Sequence, residues 1–265
     1  MALVQTKGLV VRVVNYGERD RILTVLTEDF GLITVMANGS RTLKSRALIA
    51  AEQFCYSQYI LFHNKDKYTL REVELIESFF DIRADIERMA LAGYLCEVVS
   101  HVGTENNPDI PLLRLTLNAL YAISSGKYPL WQIKGSFEMR AAAILGFMPA
   151  LSSCAACGEE GEDTVLDVMN GVVICEKCRN LQSANDVQIE EQRESNSILC
   201  LLRPAARAAL YYTIECPLER ILSFRLDDPE EQKNFSYAAE TYLINQLEFG
   251  FKTLDFYKTI ISIEA

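Results

Sequence analysis

Two Cys-x-x-Cys pairs, Cys154 with Cys157 and Cys175 with Cys178, stand seventeen residues apart. One tight turn aims both sulfurs of a pair at a single ion, and two such turns complete a tetrahedron of thiolates. The gap lies within the range that four-cysteine zinc sites use. Gly158 follows the first pair, where a residue free to adopt positive φ suits the turn. Between the pairs, Thr164 to Ile174 reads as two short strands around Asn170-Gly171, a strong hairpin signal. The expectation is a zinc ribbon, knuckle then hairpin then knuckle, holding one Zn²⁺ per chain. Four protein ligands close the coordination sphere, which makes such a zinc structural. Iron in a sulfur-only site is the minor alternative, and a redox dithiol is the other reading of a Cys-x-x-Cys pair. Lys177 and Arg179 flank the second pair and can offset the two net negative charges of a four-thiolate zinc centre.

Catalytic zinc is a poor match. A zinc hydrolase or deaminase needs an open metal position and a Glu beside a His or Cys ligand. The two histidines, His63 and His101, are remote from the cysteine pairs in sequence. Cys55, Cys96, Cys200 and Cys216 are scattered through apolar segments and read as buried free thiols. A reducing, cytoplasmic setting is expected, since the start of the chain has no signal-peptide layout and no apolar run approaches a membrane span.

Charge narrows the partners. The net charge of −10 speaks against nucleic acid at first sight. Its distribution reverses that for one region. Residues 1–80 carry ten Lys/Arg against nine Asp/Glu, whereas the remainder carries sixteen against twenty-seven. From Phe30 to Ala51 there is no acid, and Arg41, Lys44 and Arg46 lie there. The N-terminal region is therefore the place for an anionic ligand, with a plain solvated loop as the bland alternative.

The elements that must position these groups follow from periodicity. Lys7–Val14, Asp20–Thr27, Leu32–Ala37, Phe54–Phe62 and Tyr68–Ile76 read as five strands, with a long polar loop after the third. That pattern suits a small closed Greek-key barrel of the OB type. Such barrels bind single strands by a basic groove and aromatic stacking partners. Tyr16, Phe30, Tyr56, Tyr59 and Tyr68 are the stacking candidates, although a barrel aromatic is more often core. At Asp81 the period becomes helical, with Asp81 as cap and Ile82, Ile86 and Met89 on one face. Further helices are expected at 110–124, 130–145, 197–213 and 217–226, with a polar linker at 182–196. A last helix starts at the cap Asp228-Pro-Glu-Glu231 and carries Phe235 through Phe249 on one side. The expected fold class is α+β and multidomain. An OB-fold barrel spans 1–80, a helical domain spans 81–149 and 181–265, and a zinc ribbon is inserted at 150–180.

Three segments carry a resemblance. Val13-Val-Asn-Tyr-Gly-Glu-Arg-Asp-Arg-Ile-Leu23, Gly39-Ser-Arg-Thr-Leu-Lys-Ser-Arg46, and Phe137-Glu-Met-Arg140 with Leu145-Gly-Phe-Met-Pro149 running into Cys154-x-x-Cys157-Gly158 resemble the RecO DNA-repair proteins. The third is the most specific, and the likeness covers nearly the whole chain. It implies a bacterial recombination mediator rather than an enzyme. Such proteins bind single- and double-stranded DNA through the barrel and anneal complementary strands. With RecR they load RecA onto DNA coated by single-stranded-DNA-binding protein. On this reading Arg12, Arg19, Arg21, Arg41, Lys44 and Arg46 line the DNA face, with Arg19 and Arg21 sharing one face of their strand. A zinc-ribbon adaptor that binds only proteins is the competing reading, favoured by the net charge.

Overall fold

A computed structural model describes residues 2–43, 45, 47–65, 67–160, 164–186 and 198–264. The chain divides into two compact units, one of Met1–Lys127 with Phe251–Ala265 and one of Tyr128–Gly250.

In the first unit, β1 (Ala2–Tyr16), β2 (Asp20–Thr27), β3 (Gly31–Ala37), β4 (Tyr56–Asn64) and β5 (Lys67–Glu77) form a closed barrel in the order β1-β2-β3-β5-β4. All pairings are antiparallel except the closing one. There β3 meets β5 in parallel through Val35↔Tyr68 and Met36↔Thr69. This is the OB arrangement that the five strands and long third connection imply. That connection is not all loop. The short helix α1 (Ala47–Ala50) sits in it, and Ala47 and Ala51 join Val10, Leu23, Val25, Ile33, Val35, Tyr59 and Leu61 in the barrel core.

β1 follows simple alternation only as far as Val10. Its pairing with β2 slips between Val10 and Arg12, so Val11 is an extra residue. Such a bulge reverses which parity faces inward. Val10 and Val13 both pack on the core, and Arg12 points outward between them. Gly31 opens β3 with φ of 68°, and its Cα lies so close to the chain at Thr104 that a Cβ would fall 2.2 Å from the Thr104 carbonyl oxygen. Leu32 donates its N–H to that oxygen and Asn106 donates to Phe30.

After the barrel, a 3₁₀ turn at Phe80–Ala84 precedes α2 (Ile86–Val102), so the cap is Asp85 and not Asp81; its carboxylate accepts the Arg88 N–H. Ile86 and Met89 are exposed rather than core. Beyond them α2 is buried on nearly every side, as expected for a helix apolar all round. It packs on β1, on α3 (Ile110–Ser125) and on α8 (Lys252–Glu264). α8 is a separate element. Glu248 turns left-handed after α7 (Pro229–Leu247), ending the helix that the sequence carries through Phe249. Glu97 from α2 then accepts the Thr253 N–H and hydroxyl at the start of α8.

In the second unit, α4 (Leu130–Ile144) lies against α6 (Pro204–Glu215) and α7. Gly135 lets the Phe235 ring approach so closely that a Cβ would fall 2.5 Å from it. Lys134, buried, holds Glu138 and Glu240 at 2.8 Å each, tying α4 to α7. Arg140 donates to the carbonyls of Thr213 and Cys216, where α6 ends. The Phe137-Glu-Met-Arg140 motif is therefore helix-joining structure. A 3₁₀ turn at Leu218–Arg220 stands where a helix over 217–226 is expected.

A four-stranded sheet in the order β6-β8-β7-β9 completes this unit, from β6 (Ala150–Cys154), β7 (Thr164–Asp167), β8 (Val172–Cys175) and β9 (Leu199–Leu202). The β7–β8 hairpin turns at Gly171 with φ of 64°. β9 replaces the first turn of the helix expected from 197, because residues 199–202 pair with β7 instead. Its outer edge is closed by Asn234 of α7, which donates to the Leu201 carbonyl and accepts the Arg203 N–H. Glu231, in the first turn of α7, where the spacing from Asp228 suits a capping box, instead accepts the Ala206 N–H and so caps α6. Of the expected linker at 182–196, residues 182–186 end the helix α5 (Glu176–Asp186) and residues 187–196 lie outside the described residues.

Candidate metal centre and nucleic-acid face

The four cysteines of the two pairs converge. Cys154 ends β6, Cys157 lies in the turn after it, Cys175 ends β8 and Cys178 sits in the first turn of α5. All four sulfurs lie within 4.8 Å of one another, and Cys157 Sγ is 3.8 Å from Cys175 Sγ. A tetrahedron with metal–sulfur bonds of about 2.3 Å has edges of about 3.8 Å. The turn is built as the spacing requires, with Gly158 at φ of 76° and its N–H donated to the Cys154 carbonyl.

The electrostatics of the cluster ask for a cation. Burial opposes a Cys154 thiolate, but N–H donors from Cys175, Cys157 and Ala156 bring its pKa down to about 6. Hydrogen bonding with the Cys175 and Cys157 sulfurs pushes Cys178 up to about 12. Four thiolates this close would repel one another, and a cation bound among them would offset that charge. Cys154 and Cys175 are buried and Cys157 is exposed, which leaves one side of the cluster open to solvent. Of the other four cysteines, all buried, burial raises the pKa of Cys55, Cys96 and Cys200, as inert core thiols require.

The second candidate is the outer face of β1–β3. Arg12 stands opposite Thr24, which stands opposite Thr34; Val14, Ile22 and Met36 form the next row, and Tyr16 pairs with Asp20. Paired residues share a face. Val14 and Tyr16 are exposed, Tyr16 at 56%. Arg19 is exposed in the turn after β1, just ahead of β2 and not on a strand face shared with Arg21. Arg41 joins it there. Its N–H donates to the Arg19 carbonyl at 3.0 Å and its guanidinium to the Gly17 carbonyl at 2.9 Å, while Gly39 donates to Asp20 Oδ1 at 2.7 Å. The structure thus brings Arg19 and Arg41 to the turn beside Tyr16, with Arg12 two rows back along the same outer face of β1. Two carboxylates stand among them, Glu18 exposed in the turn and Asp20 engaged with Gly39.

Arg21 is a correction. It shares the buried face with Leu23 and Val25, is 8% exposed, and gives its guanidinium to Glu52 at 2.5 Å and to the Leu48 carbonyl at 3.0 Å. It braces the connection after β3 instead of meeting a ligand. Arg19 and Arg21 therefore do not act as a pair. Lys44 and Arg46 lie outside the described residues. Among the stacking candidates, Tyr59 and Tyr68 are core, Phe30 packs against it, and Tyr56 donates to Glu28; Tyr16 alone of the five is exposed. Sequence reading missed Val14, Ile22 and Met36 as surface neighbours of Tyr16, because their shared row exists only in the strand register.

Known proteins match along the whole chain. Residues 1–79 match the family model "Recombination protein O N terminal", and residues 83–190 match "Recombination protein O C terminal". The DNA repair protein RecO of Acetivibrio thermocellus is 32% identical over 266 residues, covering 100% of both chains. The chain belongs to the RecO family. Among further relatives, the DNA repair protein RecO of Caldanaerobacter subterraneus is 28% identical over 97% of this chain and 98% of its own. That of Dehalococcoides mccartyi is 31% identical over 84% and 90%. The N-terminal match ends just past β5, and the C-terminal match spans the four cysteines of this chain. Among the described residues no helix is long and apolar enough to cross a membrane.

Proposed function

We propose that this RecO-family chain is a recombination mediator that binds single- and double-stranded DNA, without sequence specificity, on the outer face of β1–β3. The observation carrying this is that Arg19 and Arg41 meet beside the exposed Tyr16, with Arg12 on the same outer face of β1, next to a stretch of the chain free of acids. Phosphates held by these arginines release counterions, which gives affinity to any sequence. Tyr16 offers a ring on which one base can stack, again without regard to sequence. Lys44 and Arg46 belong to the same acid-free stretch and add to its charge.

Annealing needs little more. Two strands must be brought together with their repulsion screened and their base edges free. A face that grips phosphates and stacks bases does both, and the acidic remainder of the chain confines DNA to it. The family resemblance supports work with RecR to load RecA onto DNA coated by single-stranded-DNA-binding protein, in the cytoplasm at the nucleoid. No catalytic step is assigned. One structural Zn²⁺ on Cys154, Cys157, Cys175 and Cys178 would fix the β6–β8 sheet to the start of α5 by charge neutralisation and coordination.

The test is binding to labelled single strands of two unrelated sequences across a range of salt. Similar affinities that fall steeply with salt are expected. Absent or salt-independent binding would refute the reading and leave the protein-binding adaptor, which the net charge of −10 favours.

A further inference from the structure

The loop after β3 carries a residue that phosphate binding leaves unexplained. Leu43 is 92% exposed, more than any other large apolar side chain among the described residues. It is held there rather than left loose. Thr42 donates both its N–H and its hydroxyl to the Gly39 carbonyl, at 3.1 Å and 2.8 Å, and Ser45 donates its N–H to the Thr42 carbonyl at 2.8 Å. Ser40 is buried and donates its hydroxyl to Ala37 at 2.8 Å. The hydroxyls of Ser40 and Thr42 are thus turned back on the loop, and the leucine is displayed. Arg41, two residues earlier, locks the same loop to the turn that follows Tyr16.

An isolated exposed leucine needs no explanation on an ordinary surface. Here it stands in a segment with no acid for many residues, two residues from Arg41, whose guanidinium donates to the Gly17 carbonyl just past the exposed Tyr16. Apolar side chains presented in this way beside cations enter base steps and part them. We propose that Leu43 is a wedge that inserts between neighbouring bases of DNA bound on this face, with Tyr16 as the ring that receives a displaced base. This rests on the DNA-binding reading above and deepens it. Parting the stack keeps the bases of a single strand extended and open to a complementary strand, and in a duplex it opens a step at the contact.

The experiment uses the full chain and oligonucleotides carrying 2-aminopurine, whose fluorescence is quenched while it is stacked. The parent protein is expected to raise the fluorescence on binding. Leu43→Ala should abolish that rise and weaken binding about fivefold, in the range of one lost stacking contact, with an unchanged salt slope because no charge is altered. Leu43→Phe should keep the rise. Tyr16→Ala should reduce it. If Leu43→Ala raises the fluorescence as the parent does, the wedge is overturned. A parent that binds with a salt slope and leaves the probe quenched also overturns the wedge alone, whereas a parent that binds no DNA overturns the wedge and the DNA face together.

Discussion

Replacing Arg12, Arg19 and Arg41 together by glutamine removes three cations from this side of the barrel while keeping side chains of similar reach. Each phosphate contact on a single strand contributes about 0.7 to the slope of log affinity against log salt. Three contacts therefore account for about 2 units of slope. Between 50 and 200 mM salt the parent should lose about 20-fold more affinity than the variant, since each contact is worth about 2.6-fold over that range. The loop itself should persist, because the backbone bond from position 41 to the carbonyl at position 19 is untouched and Gly39 keeps its bond to Asp20. The assay is fluorescence anisotropy of a labelled oligonucleotide titrated at several salt concentrations. Arg21→Gln is the internal contrast. Its guanidinium is committed to Glu52 and Leu48, so its loss should cost stability, about 1–2 kcal/mol given that Glu52 is partly solvated, and leave the slope alone. A triple variant with the parent's slope, or an Arg21→Gln variant that flattens it, would refute the assignment of this face.

Elemental analysis of protein purified under reducing conditions should find one zinc per chain, and chelation or Cys175→Ser should lower the melting temperature of the Tyr128–Gly250 unit more than it lowers DNA affinity per folded molecule. Lys134→Met removes the cation shared by Glu138, at 0% exposure, and Glu240, and should cost about 3–5 kcal/mol in denaturant titration. Gly135→Ala drives a methyl against the Phe235 ring and should destabilise by about 1–3 kcal/mol, a loss that Phe235→Leu in the same chain should partly relieve.

What the sequence determined by itself is what short-range geometry decides. A Cys-x-x-Cys turn aims its own two sulfurs, Gly158 supplies its own positive φ, and Asn170-Gly171 turns its own hairpin. Asp228 caps its own helix. The period-two segments likewise gave the barrel strands, because alternation along a strand is a local property. Tertiary structure decided whatever depends on residues remote in the chain. The bulge at Val11, forced by pairing with β2, is what turns Arg12 to solvent; unbroken alternation from Val10 would have aimed it at the core. Arg21 carries the same cationic group as Arg19, but only the approach of Leu48 and Glu52 turns it from a surface charge into a brace. Residues 199–202 became a strand because β7 offered an open edge, and the Glu231 side chain, in the first turn of α7, caps α6 instead of its own helix. A hydrogen bond or a charge takes the best partner that folding delivers, and sequence spacing reveals that partner only when it lies within a few residues.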